Sequence, residues 1–179
     1  SDRRAGVPGQ NKEAMTVNQA MEAALNEQIV MELSSAYTYL AMAAYCESIN
    51  LPGTAHWLQV QAKEELEHAM KFYNHVNDRG GRVVLKAIPE PVHEYASPLA
   101  VFEAVLAHEQ KVTASIHKLY ELAVQEKEYG SLPLLQWFID EQVEEEKSAD
   151  EVLQKFRMAG ESKSALLFLD SQLGKREDD

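Results

Sequence analysis

Four stretches of this chain repeat apolar residues at alternating steps of four and three, and each breaks the repeat near its middle with a carboxylate. In the first, Leu25, Ile29, Glu32, Ala36, Tyr39, Ala43 and Cys46 keep the spacing; in the second, Leu58, Ala62, Glu65, Ala69, Phe72 and Val76 do. The third reads Phe102, Val105, Glu109, Val112, Ile116, Leu119 and Ala123, and the fourth Leu135, Phe138, Gln142, Glu145, Ala149, Val152 and Phe156. That spacing holds residues on one inward face of an α-helix. An ionised carboxylate without a partner in a dry core costs several kcal/mol. Glu32, Glu65, Glu109 and Glu145 cannot neutralise one another, whereas a bound cation neutralises them.

Punctuation between the stripes sets the topology. The first helix is expected from about Val17 to Ser48, stopped by Asn50, Leu51, Pro52 and Gly53. Thr54 is the expected N-cap of a second helix that ends near Gly80 and Gly81. Ser97 or Pro98 opens a third, which stops at Tyr129 and Gly130. Ser131 and Pro133 start a fourth, ending near Gly160, and a short fifth covers about Lys163 to Leu173. Short links make helices one and two, and three and four, antiparallel pairs. Between the pairs, Arg82 to Ser97 carries prolines and no helical period; Val83, Val84 and Leu85 are candidates for an extended run there. At about 3.3 Å per residue this link spans a helix of about 27 residues. The expected fold is therefore all-α, an antiparallel four-helix bundle with one long crossover plus a short C-terminal fifth helix. Its domain occupies 17–175, between a flexible or processed arm over 1–16 and a tail over 176–179.

Bundles of this kind that bind two metals draw one Glu from each of two helices and a Glu-x-x-His from each of the others. Glu65 and His68 form one such unit, because residues three apart share a helix face. Glu32 and Glu109 supply single carboxylates. The fourth helix offers Gln142 and Glu145 where a symmetric site would have Glu-x-x-His, so two unequal positions are expected. One takes Glu32, Glu65 and His68. The other takes Glu65 as a bridge, Glu109, and Glu145 or Gln142 more weakly. Oxygen-rich sites with one imidazole suit iron or manganese and disfavour copper, with zinc as a redox-silent competitor. Tyr39, two turns after Glu32, is placed to hydrogen-bond Glu109 or to lend an electron, or else is a core tyrosine with a satisfied hydroxyl. Glu64, Glu141 and Glu144 flank these residues by one position and, with Glu67 and Glu146, form an acidic strip. The strip reads as a third cation site or exit path, or as a solvated face.

The remaining residues read as structural. His75 is expected at the bundle face beyond the site; His56, His93, His108 and His117 lack ligand spacing and are expected at the surface. Met31, Met42 and Met70 are expected to pack. Cys46, the one cysteine, is expected as a small buried hydrophobe, with no internal disulfide and no cysteine-based zinc site. The formal net charge of −12 argues against nucleic acid or an anionic membrane as partner. No run of about eighteen apolar residues is present.

At these residues the sequence resembles the ferritin family, and within it the non-haem ferritins of bacteria. The stretches that carry the resemblance are Leu25 to Gln28 through Glu32 and Leu33, Lys63 to His68, His108 to Gln110, and Leu135 to Trp137 through Glu141 to Lys147. The resemblance implies a ferroxidase centre at Glu32, Glu65, His68, Glu109, Gln142 and Glu145 with Tyr39 beside it, and a third iron site at Glu64, Glu141 and Glu144. It also implies iron storage: Fe2+ oxidised by O2 or H2O2, and a ferric mineral held in a homo-oligomeric shell of twenty-four subunits. The implied location is the cytoplasm, or a plastid for a eukaryotic member. Bacterioferritin repeats Glu-x-x-His on the fourth helix, where this chain has Glu145, and has its haem methionine where this chain has Leu66. No haem is therefore expected. A structural shell subunit holding zinc, and a di-iron oxidoreductase acting on an organic substrate, are the alternative readings.

Overall fold

The computed structural model describes residues 16–178. Within them the chain forms five α-helices and no strand. Helix α1 (Gln19–Ser48) lies along α2 (Pro52–Asp78), and α3 (Pro98–Gln125) along α4 (Leu132–Ala159), while α5 (Lys163–Leu173) packs on α2 and α4. This is the expected bundle with its fifth helix. The arm read over 1–16 lies, apart from Thr16, outside the described residues.

Most helix starts carry the cap their sequence suggests. The Asn18 side chain accepts from Met21 N, Ser97 from Ala100 N, and Ser162 from Ala165 N. The start of α2 differs. The helix begins at Pro52, two residues before Thr54, and Leu51 supplies no side-chain cap. The acceptor comes instead from α5, where Asp170 Oδ1 takes bonds from Thr54 N and Thr54 Oγ1, both at 2.7 Å, and Oδ2 takes one from Gly53 N at 3.2 Å. A Cβ on Gly53 would lie 1.9 Å from the Asp170 carbonyl oxygen, so only glycine admits this docking. Helix α3 ends at Gln125, sooner than expected. The chain then turns through Lys127 at φ 54° and a single 3-10 turn, Tyr129–Ser131, before α4.

The crossover forms no strand at Val83, Val84 and Leu85. It is tied along α1: Asn26 Nδ2 donates to Arg82 O at 2.9 Å and Asn26 Oδ1 accepts from Val84 N at 2.8 Å. Farther on, the Tyr95 and Tyr45 rings meet at 5.5 Å.

The core has two apolar ends and a polar waist. One cluster surrounds Tyr39, Trp57, Phe102 and Phe156; the other surrounds Leu25, Phe72, Ile116 and Phe138. On every long helix the break between the clusters falls where the acidic residue interrupts the stripe. Every stripe residue but one is buried. The exception is Ala36, half-buried, because Ser35 takes the inward position and bonds back to Met31 O.

Candidate metal centre

The waist brings Glu32 from α1, Glu65 and His68 from α2, Glu109 from α3, and Gln142 and Glu145 from α4 together inside the bundle, all of them buried. Ligand atoms of Glu32, Glu65 and His68 lie within 4.8 Å of one another, and so do those of Glu65, Glu109 and Glu145. Glu65 belongs to both groups, the position expected of a bridging carboxylate. His68 is held edge-on by the Trp137 and Phe138 rings at 5.7 and 5.5 Å.

Three atoms identify what the cluster can hold. Glu32 Oε2, Glu65 Oε2 and His68 Nδ1 are buried with no hydrogen-bond partner. Buried polar atoms are almost always paired, because leaving one bare costs about 1–3 kcal/mol. Two of them, His68 Nδ1 and Glu65 Oε2, stand 3.4 Å apart as an ion pair. Three ligand atoms without hydrogen bonds, facing one another, fit a cation: hard carboxylate oxygens and one borderline nitrogen suit iron, manganese or zinc. Around them the other oxygens are engaged. Gln28 Nε2 donates to Glu32 Oε1 at 3.0 Å, and Gln61 Nε2 donates to Glu65 Oε1 at 3.0 Å and to Glu145 Oε2 at 2.7 Å. The Tyr39 hydroxyl donates to Glu109 Oε1, and Gln142 Nε2 reaches Glu109 Oε2, Glu109 O and Thr113 Oγ1, each at 3.2 Å.

Burial governs the charge of the cluster. It pushes Glu32 well above the ordinary carboxylate range, with Glu65 adding to the push. Burial and then the charge of Glu65 raise Glu109 to about 8, against lowering bonds from Tyr39 and Gln142. Burial, then Glu109 and Glu65, raise Glu145 to about 10. Burial acts on Glu65 in the same sense, but His68 beside it, with Glu32 and Gln61, brings it down to about 2. The partner effect is mutual: burial disfavours protonated His68, and Glu65 more than reverses that. The Tyr39 phenol is driven well above its usual value, first by burial and then by Glu109. Free of a cation, burial thus favours the protonated form of Glu32, Glu109 and Glu145 around one Glu65–His68 ion pair. A cation bound there would compete with those protons.

The flanking acids separate. Glu141 Oε1 comes within 4.0 Å of His68 Nε2, and His68, Glu141 and Glu145 form a third close grouping. Glu64 is paired with Arg176 at 3.1 Å. Glu144 and Glu67 are exposed, whereas Glu146, expected in solvent, is half-buried and accepts from Thr113 Oγ1 at 2.9 Å.

The histidine expectations hold only in part. His93 and His117 are exposed, and His75 is half-buried against Ser131 Oγ. His56 is half-buried, its Nε2 2.8 Å from Arg176 O. His108 also departs from the surface expectation. Its Nε2 lies 2.6 Å from Ser35 Oγ and its ring meets Tyr39 edge-on, and burial lowers its pKa. Met42 and Cys46 are buried and Met31 half-buried, but Met70 is exposed.

Sequence reasoning missed the amides behind the carboxylates. Gln28 precedes Glu32, and Gln61 precedes Glu65, by four residues. That repeated Gln-x-x-x-Glu spacing on two helices was a visible cue. Arg176 had no cue, since it reaches the site from beyond α5.

Comparison with known proteins places these observations in a family. The family model described as a ferritin-like domain matches residues 22–159. A bacterial non-heme ferritin of Staphylococcus aureus is 39% identical over 153 residues, which are 86% of this chain and 92% of that protein. A probable bacterial non-heme ferritin-like protein of Haemophilus influenzae is 38% identical over 150 residues, 84% of this chain and 91% of that protein. Among solved structures, an open-pore ferritin from the hyperthermophilic archaeon Archaeoglobus fulgidus superposes with TM-score 0.90 at 51% identity, covering 91% of this chain and 99% of that one. A closed form of the A. fulgidus ferritin, engineered by mutagenesis, gives TM-score 0.90 at 50% identity, with 92% and 100% covered.

Proposed function

Because the chain belongs to the ferritin family, we propose that it stores iron, and that it does so by oxidising Fe2+ at the waist of its own bundle. The observation that carries this reading is the trio of bare ligand atoms on Glu32, Glu65 and His68 beside a second carboxylate group that shares Glu65. Fe2+ is the substrate. One ion is held by Glu32, Glu65 and His68, and a second by Glu65, Glu109 and Glu145, with Gln142 nearby. Each gives one electron to O2 or H2O2. Anionic oxygen ligands favour the ferric product, because hard donors suit the higher charge.

The residues of the chain do the rest. Binding displaces the protons stored on Glu32, Glu109 and Glu145. Gln28 and Gln61 hold two carboxylates in place through their amide groups, and Tyr39 fixes Glu109 and stands ready as an electron donor. The apolar clusters on either side keep water from the waist except along the acidic strip. Glu64, Glu141 and Glu144 are assigned to a third, looser iron position on that strip. The ferric product accumulates as mineral inside a shell of identical subunits, twenty-four by the family pattern. Met158, Leu167 and Phe168, exposed on α4 and α5, give each copy an apolar surface to bury against another. Among the described residues, no helix is long and apolar enough to cross a membrane. A cytoplasmic setting without haem, membrane or nucleic acid is the reading adopted.

Glu65→Ala removes the shared ligand. It is expected to slow Fe2+ oxidation in air by on the order of 100-fold or more, since even outer partners of metal ligands are worth about 10–100-fold. The ferric absorbance rise after mixing apo-protein with Fe2+ checks this, and an unchanged rate means the oxidising site lies elsewhere.

A further inference from the structure

The segment after α5 lays one guanidinium against the back of the waist. Arg176 Nη1 donates to Trp57 O at 3.0 Å and Nη2 to Gln61 Oε1 at 3.1 Å, while Nη2 also stands 3.1 Å from Glu64 Oε1. The guanidinium carbon sits 4.3 Å from the centroid of the Trp57 ring. The segment is tied at Arg176 itself and just beyond it: His56 Nε2 lies 2.8 Å from Arg176 O, and Lys63 Nζ meets Asp178 Oδ2 at 2.6 Å in an exposed pair. Both members of the Arg176–Glu64 pair are largely withdrawn from solvent, at 19% exposure each.

Two consequences follow from this placement. Gln61 gives its amide nitrogen to Glu65 and Glu145 while its oxygen faces Arg176. An amide whose oxygen accepts from a fixed cation cannot turn its nitrogen away without losing that bond, so Arg176 sets which end of Gln61 faces the carboxylates. Glu64, meanwhile, cannot keep the guanidinium and hold a divalent ion on the same oxygen, because like charges at contact distance repel.

We propose that Arg176 is a positioning residue acting through Gln61 on Glu65 and Glu145, and that it occupies Glu64 in competition with a third divalent cation. The inference rests on the proposed centre. With the C-terminal segment docked, Glu64 is neutralised and the two waist positions are shaped by Gln61. With it released, Glu64 joins the strip as a ligand and Gln61 is free to rotate. The two states give the chain a third-ion affinity governed by the segment after α5. Arginine suits both tasks because its planar fork reaches Gln61, Glu64 and the Trp57 carbonyl together, which a lysine's single ammonium cannot.

The test is calorimetric titration of the assembled apo-protein with Zn2+, a redox-silent probe, in the wild type, Arg176→Ala and Arg176→Lys. The wild type is expected to bind two ions tightly and a third weakly. Arg176→Ala is expected to bind the third about tenfold more tightly and to weaken one of the two tight sites by about threefold, less than the roughly 10–100-fold of a direct outer partner because Arg176 acts through Gln61. Arg176→Lys keeps the charge but not the fork, so it restores the weak third site without restoring the tight one. A general loosening of the fold does not tighten a site, which separates the proposal from a purely structural role. Unchanged third-ion affinity in Arg176→Ala overturns the proposal while leaving the waist assignment standing. Absence of two tight sites in the wild type overturns the waist assignment and this inference with it.

Discussion

The α1–α2 half of the waist and the α3–α4 half hold similar residues that are engaged to different degrees. In the first, each carboxylate has one oxygen on an amide, and Glu32 Oε2, Glu65 Oε2 and His68 Nδ1 carry no hydrogen bond, the last two facing each other at 3.4 Å. In the second, Tyr39 and Gln142 engage both oxygens of Glu109, and Gln61 engages Glu145. A cation entering the first half gains three ligand atoms that carry no hydrogen bond, at the cost of the Glu65–His68 ion pair. A cation entering the second must replace hydrogen bonds already made, each worth about 0.5–1.5 kcal/mol net. On the proposed function the two positions therefore differ in strength for a reason internal to the protein, and a site whose ferric product must leave is served by that difference.

The largest test of that difference is His68→Ala against Gln142→Ala. Removing the only imidazole is expected to weaken the first ion by about 100-fold, and removing the amide to change the second by about tenfold or less. Zn2+ titration reads both, and equal losses abolish the asymmetry. A broader effect concerns the metal-free protein. Glu109 and Glu145, at about 8 and about 10, sit above the value of 4.5 from which burial displaces them. Raised carboxyls favour the folded state fully below their unfolded pKa, and that contribution is lost as pH rises toward the folded values. Glu65, lowered to about 2, acts in the opposite sense, and its contribution is lost only in strong acid. The melting temperature of the apo-protein should thus fall as pH rises above about 4.5, through about 8 and toward about 10, and Zn2+ should remove most of the slope. A flat profile without metal means the second half is not proton-loaded. The smallest effect is Tyr39→Phe, which frees one oxygen of Glu109. Loss of one hydrogen bond changes the oxidation rate by about fivefold, while the first ion binds as before. A change in first-ion affinity instead ties the two halves more closely than described.

The stripes were legible because a buried helical face imposes a period of 3.6 residues, and an acid on that face has nowhere else to go. Twenty-six of the positions named in the four rows were therefore foreseeable as buried. Ala36 escaped because alternating steps of three and four drift slowly around a real helix, and Ser35 came to the inside. The start of α2 was misplaced for another reason. Thr54 has the side chain of a cap, but the capping atoms belong to Asp170, more than a hundred residues away, and no local pattern announces such a contact. His108 and Arg176 were unreadable on the same account. Each is placed by a partner on another element, Ser35 in one case and Gln61 with Glu64 in the other.

Asp170 also bears on how the chain is made. Helix α2 is finished at its leading end by a carboxylate that the ribosome adds only after all four long helices. Until then the two amides at Gly53 and Thr54 lack that acceptor, and the first hairpin waits incomplete while α3 and α4 are made. A message cut short before that codon yields a chain with every long helix encoded but the second left open at its tip.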